Sequence, residues 1–87
     1  MYYILVYDVN VDRVQKMLKL VRKYLNHVQN SVFEGELTDA QLAELKDAAR
    51  DLMDEDEDSI IIYQVGSKRW SNREVLGVEK HDIDNFV

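Results

Sequence analysis

The chain has 87 residues, 46% hydrophobic and 32% charged, and its 11 basic against 17 acidic side chains leave a net charge of −6. That length holds one small domain, which buries roughly two-thirds of its unfolded surface and gains stability by pairing with another copy. The composition excludes a disordered tail, and the absence of cysteine excludes disulfides and cysteine-based zinc sites. No apolar run approaches the roughly 20 residues of a membrane span. The first residues carry no positive charge ahead of their apolar stretch and include Asp8, unlike a signal peptide, so a soluble cytosolic domain is expected.

Residues 2–9, YYILVYDV, are β-branched and aromatic, which predicts a central strand buried on both faces. Asn10 suits the N-cap of a helix over 11–26, where Val11, Val14, Leu18, Val21 and Leu25 form one apolar stripe. Lys16, Lys19 and Lys23 recur at intervals of three and four residues, a cationic line on another face. Residues 27–37 read as strand, but Val28, Val32 and Glu34 differ in parity from Gln29, Ser31 and Phe33. The segment is therefore one strand with Val32 and Phe33 on opposite faces, or two strands split by a bulge or tight turn near Gln29–Asn30.

Thr38 and Gln41 form a capping box for a second helix over 38–53, with Leu42, Leu45, Ala49 and Leu52 facing inward. The run Asp54-Glu55-Asp56-Glu57-Asp58 opposes the negative end of that helix and reads as a solvated acidic turn rather than a metal cluster. Residues 60–65 predict an apolar strand and residues 73–78 a short final one, joined by a polar loop through Trp70. The tail, 79–87, is amphipathic and suited to docking.

Charge is unevenly spread. Residues 1–33 hold five Lys or Arg against two acids, and residues 34–58 hold two against eleven. The net acidity argues against a general nucleic-acid glue, while a local basic face remains compatible with phosphate contact.

Two helices interleaved with strands imply an α+β sandwich. If residues 27–37 split, the order becomes the ferredoxin-like βαββαβ plan with an additional C-terminal strand, as one domain over 1–87. Helices then cover one sheet face, and a second copy of the chain is the simplest cover for the other.

Asp8 stands out, because functional groups favour the carboxyl ends of strands. Its bland alternative is a cap on the first helix. One carboxylate is a poor metal site alone, but Mg²⁺ is often held by one or two carboxylates with waters and substrate phosphates, and a two-fold dimer would supply the second. His27 and His81 lack ligand-spaced partners, and His27 reads as a hydrogen-bonded structural residue. Ser31 has no evident base. Phe33 reads as core and, secondarily, as a base-stacking ring. Lys68, Arg69, Trp70 and Arg73 read as a solvent-facing loop before a basic-aromatic patch. No P-loop, Rossmann glycine pattern or G-x-S-x-G occurs.

The strand ending Tyr7-Asp8-Val9, the basic first helix, the run Val28-Gln29-Asn30-Ser31-Val32-Phe33-Glu34-Gly35, the segment Asp58-Ser59-Ile60-Ile61-Ile62-Tyr63 and the ending Gly77-Val78-Glu79 together resemble the second CRISPR-associated protein family, Cas-two. The Q-x-S-V-F-E portion is specific, whereas an apolar strand ending in Asp is not. The resemblance implies a ferredoxin-like homodimer whose C-terminal strand and tail, 73–87, reach onto the partner protomer. It also implies pairs of the CRISPR integrase subunit (Cas-one) flanking the dimer, and duplex DNA along basic surfaces during spacer acquisition. The family is usually described as metal-dependent endonucleases of RNA or double-stranded DNA, with Mg²⁺ on the aspartate corresponding to Asp8. In that scheme Tyr7 positions the scissile phosphate and Arg13 offsets developing charge. Many relatives carry an Asp-x-x-Arg-Arg-type cluster after the metal aspartate; here Arg13 alone follows closely, with Asp12 beside it. The alternative is a non-catalytic adaptor that binds nucleic acid through Lys16, Lys19, Arg22 and Lys23 and bridges integrase subunits. A third reading, a small-molecule regulatory module, lacks a ligand-sized glycine loop.

Overall fold

The structure, a computed structural model, describes residues 1–66 and 70–78. In chain order it contains β1 (Tyr2–Asp8), α1 (Val11–Val21), β2 (Asn26–Gln29), β3 (Val32–Glu36), α2 (Asp39–Leu52), β4 (Ser59–Val65) and β5 (Trp70–Gly77). The strands form one antiparallel sheet in the order β2-β3-β1-β4-β5. This is the βαββαβ ferredoxin-like plan with a fifth strand added beside β4. The segment 27–37 is split: Asn30 turns the chain at φ 44, and the pairing of β2 with β3 shifts register between His27 and Gln29. Asn tolerates that left-handed conformation better than most residues.

Both helices lie on one sheet face. Tyr3, Leu5 and Tyr7 of β1 meet Met17 and Val21 of α1 and Leu45 and Ala49 of α2, with Phe33, Ile60, Ile62 and Leu76 completing the core. α1 is shorter than its stripe suggests. After Val21 the chain tightens, with Lys23 N–H donating to Leu20 O at 3.1 Å and Tyr24 N–H to Val21 O at 3.0 Å. Bonds to the third residue back end a helix, and the turn drops Leu25 into the core before β2 begins. At the other end Val11 is 80% exposed and stands outside the stripe. α2 follows its pattern closely: Thr38 N–H donates to Gln41 Oε1 at 2.9 Å, and Gln41 N–H donates to Thr38 Oγ1 at 3.1 Å.

The second sheet face is made by the alternate residues. Register aligns Val32, Val6, Ile61 and Val75 in one apolar row across four strands. The next row toward the N-terminus of β1 holds Glu34, Ile4, Tyr63 and Arg73, and the row at its other end holds Asp8, Ser59 and Gly77. No helix among the described residues covers this face. Burial on this face is nevertheless substantial: Val6 and Ile61 are buried, Ile4 is half-buried and Tyr2 is 37% exposed, while Tyr3, Leu5 and Tyr7 are sealed under the helices. β5 begins three residues earlier than the sequence suggests, because its pairing with β4 continues to Val65 opposite Trp70. The tail over 79–87, with His81, and the loop cations Lys68 and Arg69 lie outside the described residues.

Candidate functional site

Asp8 is the last residue of β1, half-buried, and pairs across the ladder with Ser59, the first residue of β4. It does not cap α1. Asn10 does, its side-chain oxygen accepting from Asp12 N–H at 3.0 Å. The carboxylate of Asp8 therefore sits at the end of the face opposite the helices, one row beyond Val6 and Ile61.

Behind this strand end lies a cluster that the acidic-turn reading does not anticipate. Residues 54–57 are exposed, but Asp58 is fully buried. One of its oxygens accepts from Asn10 N–H at 2.9 Å and from Arg13 Nη2 at 3.2 Å, and the other from Arg13 Nε at 2.6 Å and Asp54 N–H at 2.9 Å. Burial by itself pushes the Asp58 carboxyl up, but the bonds from Arg13, Asp54 and Asn10 outweigh it and hold the carboxyl below its ordinary value. Arg13 also pairs with Glu57, and both acids raise the guanidinium's affinity for its proton. The arginine for which the sequence suggests a charge-offsetting role is thus held by Asp58 and Glu57. Charge balance hints that an arginine in α1 needs an acid, but nothing in the sequence singles out Asp58 among the five consecutive ones.

Tyr7 is 3% exposed and stacks on Phe33 at 5.7 Å between ring centroids; burial raises its hydroxyl pKa. Successive strand residues point to opposite faces, so the Tyr7 ring lies beneath the sheet from the Asp8 carboxylate. Phe33 is wholly buried and stacks in turn on His27 at 4.7 Å, while His27 Nε2 lies 2.6 Å from Asn30 O. Phe33 is core, and His27 is a hydrogen-bonded edge residue. Ser31 and Ser59 are buried, and their hydroxyls lack a hydrogen-bond partner among the described residues.

Lys16, Lys19, Arg22 and Lys23 are all exposed, and Lys19 stands in the last turn of α1, where a cation complements the helix end. Lys16 and Lys19 lie within α1, and Arg22 and Lys23 lie in the turn that ends it.

As a metal centre, one chain offers little. No group of three or more Asp, Glu or His side chains able to hold an ion occurs among the described residues. The donor set fits a hydrated Mg²⁺ that brings substrate phosphate and a second carboxylate, and does not fit an ion caged by one chain. No helix among the described residues is long and apolar enough to cross a membrane.

A ferredoxin-like sandwich with both helices on one sheet face and an aspartate closing its first strand defines the structural class. Residues 1–73 match the family described as CRISPR associated protein Cas2, and the chain belongs to that family. It is 54% identical over 87 residues to the CRISPR-associated endoribonuclease Cas2 of Methanocaldococcus jannaschii, covering 100% of this chain and 76% of that protein. It is 52% identical over 87 residues to the protein of the same name from Thermotoga maritima, covering 100% and 99%. Among solved structures, one described as "Crystal structure of cas2" superposes with a TM-score of 0.73 at 42% identity, covering 100% of this chain and 98% of that one. Streptococcus pyogenes Cas2 at pH 6.5 gives 0.71 at 35% identity, over 78% of this chain and 89% of that one.

Proposed function

We propose that this protein acts in CRISPR spacer acquisition as a homodimer whose two Asp8 carboxylates support divalent-metal-dependent cleavage of RNA or double-stranded DNA. The observation that carries this reading is the position of Asp8 at the end of an apolar sheet face. Two copies joined through the face that carries Val32, Val6, Ile61 and Val75 would cover the half-buried Val32 and Val75 and bring like acids toward one symmetry axis. The relatives' name, endoribonuclease, agrees with cleavage of RNA.

The two Asp8 side chains would hold a Mg²⁺ ion between them. When bound, that ion supplies charge stabilisation at the scissile phosphate and acidity to a water. The chain's own residues do the positioning. Tyr7 and Phe33 fix the strand end from beneath, and the exposed cations of α1 hold phosphates away from the cut. Purified protein should cleave RNA or duplex DNA with Mg²⁺ and stop on its removal, and Asp8→Asn should be inert. Cleavage unaffected by Asp8→Asn would refute the reading, as would a chain that sediments as a monomer at working concentration.

The exposed α1 cations also favour a second reading: a rigid dimeric adaptor that binds prespacer duplex and bridges integrase subunits (Cas-one) without cutting. Spacer integration that survives Asp8→Asn but fails when Lys16, Lys19 and Lys23 are reversed in charge would select this reading over the first.

A further inference from the structure

We infer that Asp58 is a positioning residue for Asp8, clamping the junction of β1 and α1 against the start of β4 through Arg13. The inference rests on the catalytic reading of Asp8 and names a second residue on which that site depends. The backbone ladder between β1 and β4 ends at the pair Asp8 and Ser59. Past that pair the Asp58 side chain takes over: its Oδ1 accepts from Asn10 N–H at 2.9 Å, two residues beyond Asp8, so the carboxylate carries the strand pairing one step further. Asp58 is also the chain neighbour of Ser59. Both sides of the pair that carries Asp8 are therefore tied to one carboxylate.

The remaining donors fix that carboxylate in turn. Arg13 Nε and Nη2 bring in α1, and Asp54 N–H closes the acidic turn. The Asp58 carbonyl accepts from Val78 N–H at 2.9 Å, which adds the end of β5. A carboxylate offers about four acceptor sites, and here four donors occupy them. Asp58 thus has no capacity left for an ion or a substrate and acts through the geometry of Asp8. Arg13 acts the same way, as the cation that holds Asp58 ionised and oriented.

The test uses the full chain with two variants, below their melting temperatures. Asp58→Asn keeps the shape but turns an amide nitrogen toward donors. Arg13→Lys keeps the charge but cannot span both oxygens. Supporting partners of metal-site ligands change activity or metal affinity by about 10- to 100-fold. The expected result is therefore a kcat lower by about tenfold or more and a higher half-saturating Mg²⁺ concentration, with KM for nucleic acid and the dimer unchanged. Arg13→Lys should fall between wild type and Asp58→Asn, and it carries the test alone if Asp58→Asn does not fold. A folded variant with wild-type kcat and Mg²⁺ dependence overturns the inference. If wild type itself proves inactive, the catalytic reading has failed, and amide hydrogen exchange decides the clamp separately. Faster exchange at Asn10 with a shifted Asp8 amide resonance in Arg13→Lys upholds it, and unchanged spectra overturn it.

Discussion

Asp8 and Ser59 face each other as the last backbone pair between β1 and β4, on the sheet face opposite the helices. Directly opposed residues in such a ladder have Cβ atoms about 5 Å apart, so Asp8 has a fixed neighbour on its own chain. No group of three or more Asp, Glu or His side chains able to hold an ion occurs among the described residues.

Two Asp8 side chains meeting across a two-fold axis would repel each other without a cation between them. Mg²⁺ should therefore raise the thermal midpoint of the wild-type dimer, and a chelator should lower it, by ordinary linkage to binding. Asp8→Asn should abolish this metal response and leave the metal-free dimer as stable as wild type, or more so. Thermal melts with and without chelator check the claim, and an identical Mg²⁺ response in Asp8→Asn would defeat it.

If Lys16, Lys19, Arg22 and Lys23 contact phosphates as proposed, duplex binding should depend steeply on salt. Each neutralised phosphate contributes a slope of about −0.9 in log K against log[salt], so reversing Lys16, Lys19 and Lys23 should flatten the slope by about 2.7 per binding protomer. Fluorescence anisotropy over a salt series measures this directly. An unchanged slope would move the nucleic-acid surface elsewhere on the molecule.

Acid should weaken the fold through Asp58. Its folded carboxyl lies below its ordinary value, since bonds from Arg13, Asp54 and Asn10 outweigh the cost of burial. Unfolded, it titrates near its reference value of about 3.9. The stabilisation is therefore fully present above that pH and is lost as pH falls below it toward the depressed folded value. Breaking the buried pair with Asp58→Ala should destabilise the protein by roughly 3 kcal/mol at neutral pH. Denaturant melts of wild type and Asp58→Ala across pH should converge in acid; a constant difference down to pH 2 would contradict this assignment.

Most of the architecture was legible in the chain, because its signals are local. The apolar runs of β1 and β4, the capping box at Thr38 and the stripe of α2 each depend on neighbours within a few residues. The parity of residues 27–37 leaves one bulged strand and two strands both open, and the turn at Asn30 decides for two. What escaped was non-local. Asp58 and Arg13 lie 45 residues apart in sequence, and nothing in a run of five acids tells which one turns inward. The end of α1 was hidden for a related reason: Leu25 continues the helical spacing, but it reaches the core through a turn. Tyr7 shows the same limit, since its neighbour Asp8 suggests a shared site and the pleat sends the two side chains to opposite faces.

Gly77 is the position where backbone freedom is needed near this cluster. Its φ is +84°, and a Cβ added there would stand 2.1 Å from the Asp58 carbonyl oxygen and 2.7 Å from Met53 Cε. The methionine can yield, because its side chain is flexible. The carbonyl cannot, since it is held by Val78 N–H on a residue whose own side chain is locked by Arg13, Asn10 and Asp54. Gly77→Ala should therefore combine a strained backbone with overpacking against an immobile group, costing about 2–4 kcal/mol. Relief should come through the clamp: the end of β5 should move away from Asp58, with faster amide exchange at Val78 while β1 and β3 keep their protection. A Gly77→Ala protein with wild-type stability would mean that β5 ends without pressing on Asp58, and that the clamp has more slack than its hydrogen bonds imply.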